Sequence, residues 1–235
     1  MSIKFSHKIP KLKRISNRSR YIEELVKDKK VLHGGCVDSG LLEERLETGL
    51  LLHSIISKEA SEAIGVDVDK DGIEKMRSMG FENVVYADLE TWDYDGTFDV
   101  IVMGEIIEHV DNCGKFLKTI SRFCNSETLV IFTTPNAYYF LFWIYTFFGR
   151  ESIHPDHNYL FSFNALRILL LKFNFEVVEN AILWGSPGFY RPKDNFIVKS
   201  IKLIVTSAFY AISVIRFIWP QYGNSIIVTA RLKQS

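Results

Sequence analysis

Net charge is the first thing this 235-residue chain lacks: 28 lysines and arginines balance 28 aspartates and glutamates. A protein that wraps nucleic acid is normally basic, so that class of partner is not expected. Proline is scarce, with six residues, and glycine numbers fourteen, which argues against an extended disordered chain. The three cysteines, Cys36, Cys113 and Cys124, are odd in number and lack CxxC or zinc-knuckle spacing. That excludes a disulfide framework and leads us to expect buried thiols in a reducing, cytoplasmic setting. Acid is absent from Met1 to Ile22, where Lys4, Lys8, Lys11, Lys13, Arg14, Arg18 and Arg20 all fall. This basic arm, taken as residues 1–20, also lacks the apolar stretch of a secretory signal. It reads either as a solvated leader or as an arm that touches anionic headgroups at the inner membrane face.

What is present is a core. Apolar residues make up 47% of the chain and aromatics 14%, enough for one domain over residues 21–235. Short apolar runs alternate with helical periodicity. Strands are expected at Val31–Gly34, Glu62–Asp67, Asn83–Ala87, Phe98–Met103, Glu127–Thr133, Phe175–Ile182 and Ser225–Leu232. Helices are expected at Gly40–Ala60, Asp71–Met79, Glu105–Phe123 and Ser162–Leu171, the last with Ser162 as N-cap. Strands with little internal alternation, separated by helices, imply a mostly parallel sheet covered on both faces: an α/β, Rossmann-like three-layer sandwich.

Two stretches interrupt the rhythm. An aromatic segment over 137–160 is expected to form a lid or wall. An apolar helical insertion over 192–220 precedes the last strand, and within 196–219 Lys199, Lys202, Thr206, Tyr210, Ser213 and Arg216 share one helical face. That stripe disfavours a transmembrane span. It leaves two readings open: packing on the domain or a twin subunit in a homodimer, or contact with a membrane surface.

In an open parallel sheet, ligands bind beyond the carboxyl ends of the strands, where strand order reverses. The turn Gly34-Gly35-Cys36 follows the first strand there, and glycine lets backbone approach a ligand closely. Asp67 closes the second strand and Asp88 the third. An acid in the first place can accept both ribose hydroxyls; one in the next can accept from an adenine amine, with Leu89 over the ring. Asp67-x-Asp69-x-Asp71-Gly72 also looks like the start of a calcium loop, but its twelfth position is Ser78 and not glutamate.

Together with Phe98-Asp99-Val100-Ile101, Glu108-His109-Val110, Thr134-Pro135-Asn136, His154-Pro155-Asp156-His157 and Phe161-Ser162, these segments resemble class I S-adenosylmethionine-dependent methyltransferases. The similarity extends to the small-molecule group that includes ubiquinone-biosynthesis O-methyltransferases and enzymes of glycan and natural-product clusters. The resemblance implies a seven-stranded sheet in the order 3-2-1-4-5-7-6 with strand seven antiparallel. It implies a loop of Gly35, Cys36, Val37 and Asp38 around the methionine moiety, Asp67 and Val68 at the ribose, Asp88 and Leu89 at the adenine, and Gly104 and Glu105 near the sulfonium. Two departures stand out. His33 replaces the usual acid at the end of the first strand, with Asp38 a candidate substitute. Gly35-Cys36-Val37-Asp38-Ser39-Gly40 replaces G-x-G-x-G.

On an expected helix from Glu105, the side chains of Glu105, Glu108 and His109 share a face. His109 has the chemistry of a general base or substrate positioner, and the alternative is a structural support of the cofactor loop. In the ubiquinone group the matching Glu-x-x-Glu-His is connected with a divalent cation, so Glu105, Glu108 and His109 are the ligand set if a metal is used. His154 and His157, with Asp156 orienting an imidazole, form a second candidate catalytic group. The expected activity is methyl transfer to a hydroxyl, with an amine or carboxyl as the alternative, of a small-molecule, sugar or lipid-linked acceptor. Two other readings stay open: a catalytically degenerate scaffold, and an NAD-dependent oxidoreductase. The second lacks the G-x-G-x-x-G spacing it needs.

Overall fold

The structure is a computed structural model that describes residues 7–184 and 218–233. The helix expected at 196–219 therefore lies, up to residue 217, outside the described residues, as does most of the insertion 192–220. In chain order the elements are β1 (Lys13–Ile15), α1 (Arg18–Val26), β2 (Lys30–Gly34), α2 (Leu42–Glu47), α3 (Leu52–Glu59), β3 (Glu62–Asp67), α4 (Lys70–Ser78) and β4 (Val84–Tyr86). They continue with β5 (Phe98–Gly104), α5 (Cys113–Arg122), β6 (Cys124–Pro135), α6 (Phe140–Phe147), α7 (Phe163–Lys172), β7 (Phe175–Leu183) and β8 (Ser225–Leu232).

One sheet runs β4-β3-β2-β5-β6-β8-β7-β1. Neighbours are parallel except at β8, which is antiparallel to both β6 and β7. The seven-stranded arrangement given above is corrected to eight strands: the seven expected ones keep their relative order, and β1 is added at the edge beside β7. Lys13–Ile15, placed in the basic arm, adds an edge strand parallel to β7. Ile15 buries its side chain while Lys13 and Arg14 stay exposed, so a charged segment pairs its backbone at the sheet margin.

Both faces of the central strands are covered. Leu32, Ile101 and Met103 pack on one side with Phe116, Leu117 and Ile120 of α5 and Leu166 and Leu170 of α7. Val31, Val100 and Val102 pack on the other with Ile22 and Val26 of α1 and Leu52 and Ile56 of α3. Continuous apolar runs in β2 and β5 are thus read on alternate faces, as a buried parallel sheet requires.

Two helix expectations are corrected. The stretch 40–60 is split at Gly49, whose φ of +69° ends α2. The helix expected from Glu105 starts only at Cys113, because Asn112 caps it by accepting from the Gly114 and Lys115 amides at 3.0 Å each. Residues 105–111 form a turn. Replacing Asn112 by alanine is expected to lower unfolding free energy by about 1 kcal/mol, measurable by urea denaturation. No helix among the described residues is long and apolar enough to cross a membrane.

Candidate active site

Strand order reverses between β2 and β5, so the crevice lies beyond their carboxyl ends. Gly34 ends β2 and Gly104 ends β5. A Cβ on Gly34 would lie 2.6 Å from Leu89, 2.8 Å from Met103 and 2.9 Å from Ile106. Glycine is thus what lets the first loop settle onto these side chains. Gly35 has φ +69° and its amide donates to the Val66 carbonyl at 2.8 Å.

Asp67, at the end of β3, is tied to that loop. Its Oδ2 accepts from the Val37 amide at 2.9 Å and its Oδ1 from the Asp69 amide at 3.0 Å. Burial nonetheless raises its pKa above the ordinary aspartate value. A carboxylate offers about four acceptor positions, so each oxygen retains a lone pair that a ribose hydroxyl can use. Val68 is exposed beside it. Asp88 follows Ala87, whose amide donates to the Asp67 carbonyl at 3.0 Å. Its carboxylate is exposed and accepts only locally, from the Glu90 amide at 2.8 Å, while Leu89 is buried against Gly34. Cys36 turns its thiol into the core, where burial pushes its pKa well up; its place in the loop is a backbone one.

Asp38 and Glu105 are both non-glycine residues at positive φ, +57° and +56°. Such backbone is held against a steric cost and collects at ligand-contacting loops. Asp38, the candidate substitute for the missing acid, faces Arg45 Nη1 at 2.6 Å. Glu105 donates its amide to the Thr133 carbonyl and hydroxyl, and its Oε1 lies 3.3 Å from Arg18 Nη1. His33 is buried with its Nδ1 3.2 Å from that of His53 and the rings stacked. One of the two nitrogens must carry the proton and the other accept it.

The face shared by Glu105, Glu108 and His109 on a helix does not exist, because the segment is a turn. The structure brings together a different set: Glu108, His109 and His157 present ligand atoms within 4.8 Å of one another. Glu105 is instead turned toward Arg18. His109 Nδ1 lies 3.0 Å from the Asp156 carbonyl. A carbonyl only accepts, so Nδ1 carries a proton, and in the neutral imidazole Nε2 is the nitrogen with the lone pair. The rings of His109 and His157 stand edge to face, 4.6 Å apart. Burial and the neighbouring imidazoles of His109 and His154 hold the His157 pKa below the ordinary histidine value.

The expected His–Asp dyad, with Asp156 orienting an imidazole, does not take the form of a side-chain pair between His154 and Asp156. Their side chains are 3.7 Å apart and exposed, and His154 Nδ1 accepts from the Asp156 amide at 3.3 Å. It is the main chain of Asp156, through its carbonyl, that fixes a tautomer, and the tautomer is that of His109.

Glu108 is fully buried. Neither of its oxygens, nor the Thr134 hydroxyl, has a hydrogen-bond partner among the described residues. Burial and the nearby Glu105 carboxylate raise its pKa to about 8. Sequence reasoning missed three participants. Arg18 was read with the arm, Thr133 had no assigned role, and nothing in the spacing tied His53 to His33. Thr134-Pro135-Asn136 proves structural at its last member, since the Asn136 side-chain amide donates to the Gln221 and Gly223 carbonyls.

A methyltransferase-domain family matches residues 9–180. The chain belongs to this family. It is therefore a methyltransferase, and family and fold together imply S-adenosylmethionine as its methyl donor. That membership sets the oxidoreductase reading aside. A search of curated proteins found no match. Among solved structures, an S-adenosylmethionine-dependent methyltransferase from Archaeoglobus fulgidus is 19% identical, with 90% of each chain covered and a TM-score of 0.55. Magnesium protoporphyrin IX methyltransferase from Synechocystis, with bound S-adenosylhomocysteine, is 11% identical over 92% of this chain and 82% of that one, TM-score 0.55. The N-methyltransferase NodS from Bradyrhizobium japonicum is 10% identical over 92% and 86%, TM-score 0.53. At such identities the likeness is one of fold. In this methyltransferase the crevice beyond β2 and β5 adjoins the Gly34-Gly35 turn, and Asp67 and Asp88 follow in and after the next two strands.

Proposed function

We propose that this methyltransferase moves a methyl group from S-adenosylmethionine to a hydroxyl of a small-molecule, sugar or lipid-linked acceptor. The observation that carries the reading is the placement of Asp67 and Asp88 after consecutive strands beside the Gly34-Gly35 turn, with the His109 group on the adjoining β5 turn. Asp67, with Val68 beside it, would hold the ribose, Asp88 the adenine amine, and the backbone of Gly35, Cys36 and Asp38, with Gly104 and Glu105, the amino-acid end. When bound, the donor supplies an activated methyl sulfonium.

The chain's own residues then have two tasks. The first is alignment of the nucleophile, which on its own can account for much of the rate. The second is proton removal. His109, whose Nδ1 is tied to a carbonyl so that Nε2 is the open nitrogen, and His157, whose pKa is held below the ordinary histidine value, are the candidate bases. His154 borders them, with ring centroids 6.0 Å from His109 and 5.2 Å from His157. Exposed aromatics of α6, including Trp143, Phe147 and the following Phe148, offer a greasy acceptor an apolar wall. Solved relatives are named for acceptors as varied as magnesium protoporphyrin IX, 1,6-didemethyltoxoflavin and coclaurine, the last two as N-methyltransferases; here the imidazoles of His109 and His157 are groups able to take a hydroxyl proton. The basic arm and the 196–219 segment support contact with a membrane surface or a second copy.

The test is incubation of purified protein and host extracts with methyl-labelled donor, followed by mass spectrometry. Label on an acceptor oxygen is expected. Donor binding without label transfer to any extract would instead favour the degenerate scaffold. A second reading of the histidine site rests on Glu108. A buried carboxylate without partners, beside two imidazoles, fits a divalent cation such as zinc or manganese. Such an ion would polarise an acceptor oxygen. Calorimetric titration of chelator-treated protein with zinc alone is expected to show one site, abolished by Glu108→Gln and His157→Ala. Absence of zinc and manganese binding to the unaltered protein would leave these residues their proton-transfer role only.

A further inference from the structure

No residue of α6 is fully buried, although Thr146 is its only member that is neither aliphatic nor aromatic. Trp143 is 61% exposed, Phe147 85% and the following Phe148 71%. A helix without a polar side normally lies in a core. Contiguous apolar surface left outside one marks an interaction site. The patch continues across a second segment. Phe140, which opens α6, stacks on Trp184 with ring centroids 6.3 Å apart. The Trp184 indole donates to the Pro220 carbonyl at 2.9 Å, and Ile218 and Trp219, just before that proline, are exposed as well.

The flank of this patch is basic. The Trp184 amide donates to the Ile15 carbonyl at the end of β1 at 3.2 Å, and the Asn164 side chain to the Lys8 carbonyl at 3.5 Å. These contacts hold residues 8–15 along the same rim of the sheet. Lys8, Lys11, Lys13 and Arg14 are exposed there, and residues 7–22 contain no acid. Lys13 faces Glu179 of β7 at 3.3 Å. Arg150 and Glu151, after α6, stand side by side and add no net charge. A second copy docked on this face through the same patch would set cations against cations. An anionic bilayer complements both halves, with acyl chains for the rings and headgroups for the lysines. Tryptophan and tyrosine favour that boundary, where the ring is buried and the polar tip stays wet.

We propose that α6 is an interfacial anchor: Trp143, Phe147 and Phe148 enter the headgroup–acyl boundary of an anionic bilayer, and Lys8 and Lys11 sit over its headgroups. The consequence for the acceptor rests on the reading of the histidine group as the acceptor side. The chain returning from α6 brings His154 and His157 to His109. The stretch from Phe148 to His154 spans at most about 20 Å when extended, so the imidazoles stay within that distance of the anchor. A lipid-linked hydroxyl at the membrane surface then meets them while its acyl chains remain in the bilayer.

The experiment is flotation of the full chain with vesicles of equal parts phosphatidylglycerol and phosphatidylcholine, and with vesicles of phosphatidylcholine alone. The first should carry the protein and the second far less of it. Raising salt from about 0.1 M to about 1 M shortens the screening length from about 10 Å to about 3 Å and should release much of the bound protein. Trp143→Ser with Phe147→Ser should weaken binding to the anionic vesicles about ten- to hundredfold. Lys8→Gln with Lys11→Gln should weaken it about tenfold or more. Thermal unfolding checks that these exposed substitutions leave the fold intact. Where the serine variant does not fold, Trp143→Phe carries the test: it should bind normally and lose most of the fluorescence quenching that bromine-labelled acyl chains produce. Absence of binding to the anionic vesicles, or undiminished binding of a folded serine variant, would overturn the proposal. So would a dimer in sedimentation that the serine variant dissolves, since a second copy would then cover α6. Failure of the labelled-donor assay, by contrast, would strike the methyl-transfer reading and leave the anchor standing.

Discussion

Asp67→Ala is expected to raise the Kd for S-adenosylhomocysteine by two orders of magnitude or more, and that for 5′-methylthioadenosine equally. The carboxylate serves two purposes at once. It closes the first loop through the Val37 amide and braces its own strand end through the Asp69 amide. On the proposed reading its remaining lone pairs take the ribose hydroxyls. Two charge-assisted hydrogen bonds contribute about 1.5–3 kcal/mol each, and hence a roughly hundredfold or larger change in affinity. Asp67→Asn is the sharper probe. Its carbonyl can replace one oxygen, but its amide nitrogen offers no lone pair to a backbone N–H or to a donating ribose hydroxyl. Calorimetry with both ligands decides the matter, with thermal unfolding as the control for loop collapse. Unchanged affinity in a folded Asp67→Asn protein would remove the ribose from this position.

The second large effect concerns acid. Burial and the adjoining imidazole pull the His33 pKa well below 6.5, and burial pulls that of His53 down to about 4. Both rings are therefore neutral in the native protein and protonated in the unfolded chain below pH 6.5. A depressed histidine pKa means that the unfolded state binds more protons, so stability falls as pH falls. The contribution is intact above pH 6.5 and is lost progressively towards pH 4. For His53 alone, a fall from 6.5 to about 4 corresponds to roughly 3 kcal/mol, and His33 acts in the same direction. Carboxylates such as Asp67, with a raised native pKa, oppose this trend, so the comparison must be differential. His53→Gln retains a polar side chain without a titrating ring. The gap in unfolding free energy between the two proteins should close, or reverse, by about 2–3 kcal/mol between pH 7.5 and 4.5 in urea titrations. Parallel curves would show that the pair does not set acid sensitivity.

What could be read in the sequence depended on how local its cause was. Central strands β2 and β5 were legible because a parallel strand buried on both sides is a continuous apolar run, and Phe98–Met103 is one. The acids at positions 67 and 88 were legible for the same reason, since each directly follows such a run. Strand β1 was not: three residues, two of them lysine and arginine, carry no periodic signal, and pairing with β7 requires the whole sheet to exist first. The false helix at Glu105 arose because Ile106, Ile107 and Val110 continue backwards the spacing of Cys113, Phe116 and Leu117. Asn112, a cap residue in mid-pattern, was the available warning. At the site, two histidine segments were visible, but their meeting within 4.8 Å was not, because it is set by a loop returning from β6. Arg18 was beyond reach, as no spacing along the chain connects it with Glu105.

That returning loop has a mechanical corollary. The Asn158 amide donates to the Glu108 carbonyl at 2.8 Å, and its side chain to the His109 and Val110 carbonyls at 3.0 and 3.3 Å. Tyr159 adds its own amide to Glu108 and its hydroxyl to the Asp111 carbonyl. The two segments are thus laced into one splint, with the imidazoles at one end and Glu105 at the other. On the proposed reading of the crevice, a displacement of this splint at its imidazole end would be carried to its Glu105 end, and acceptor and donor occupancy would then be coupled.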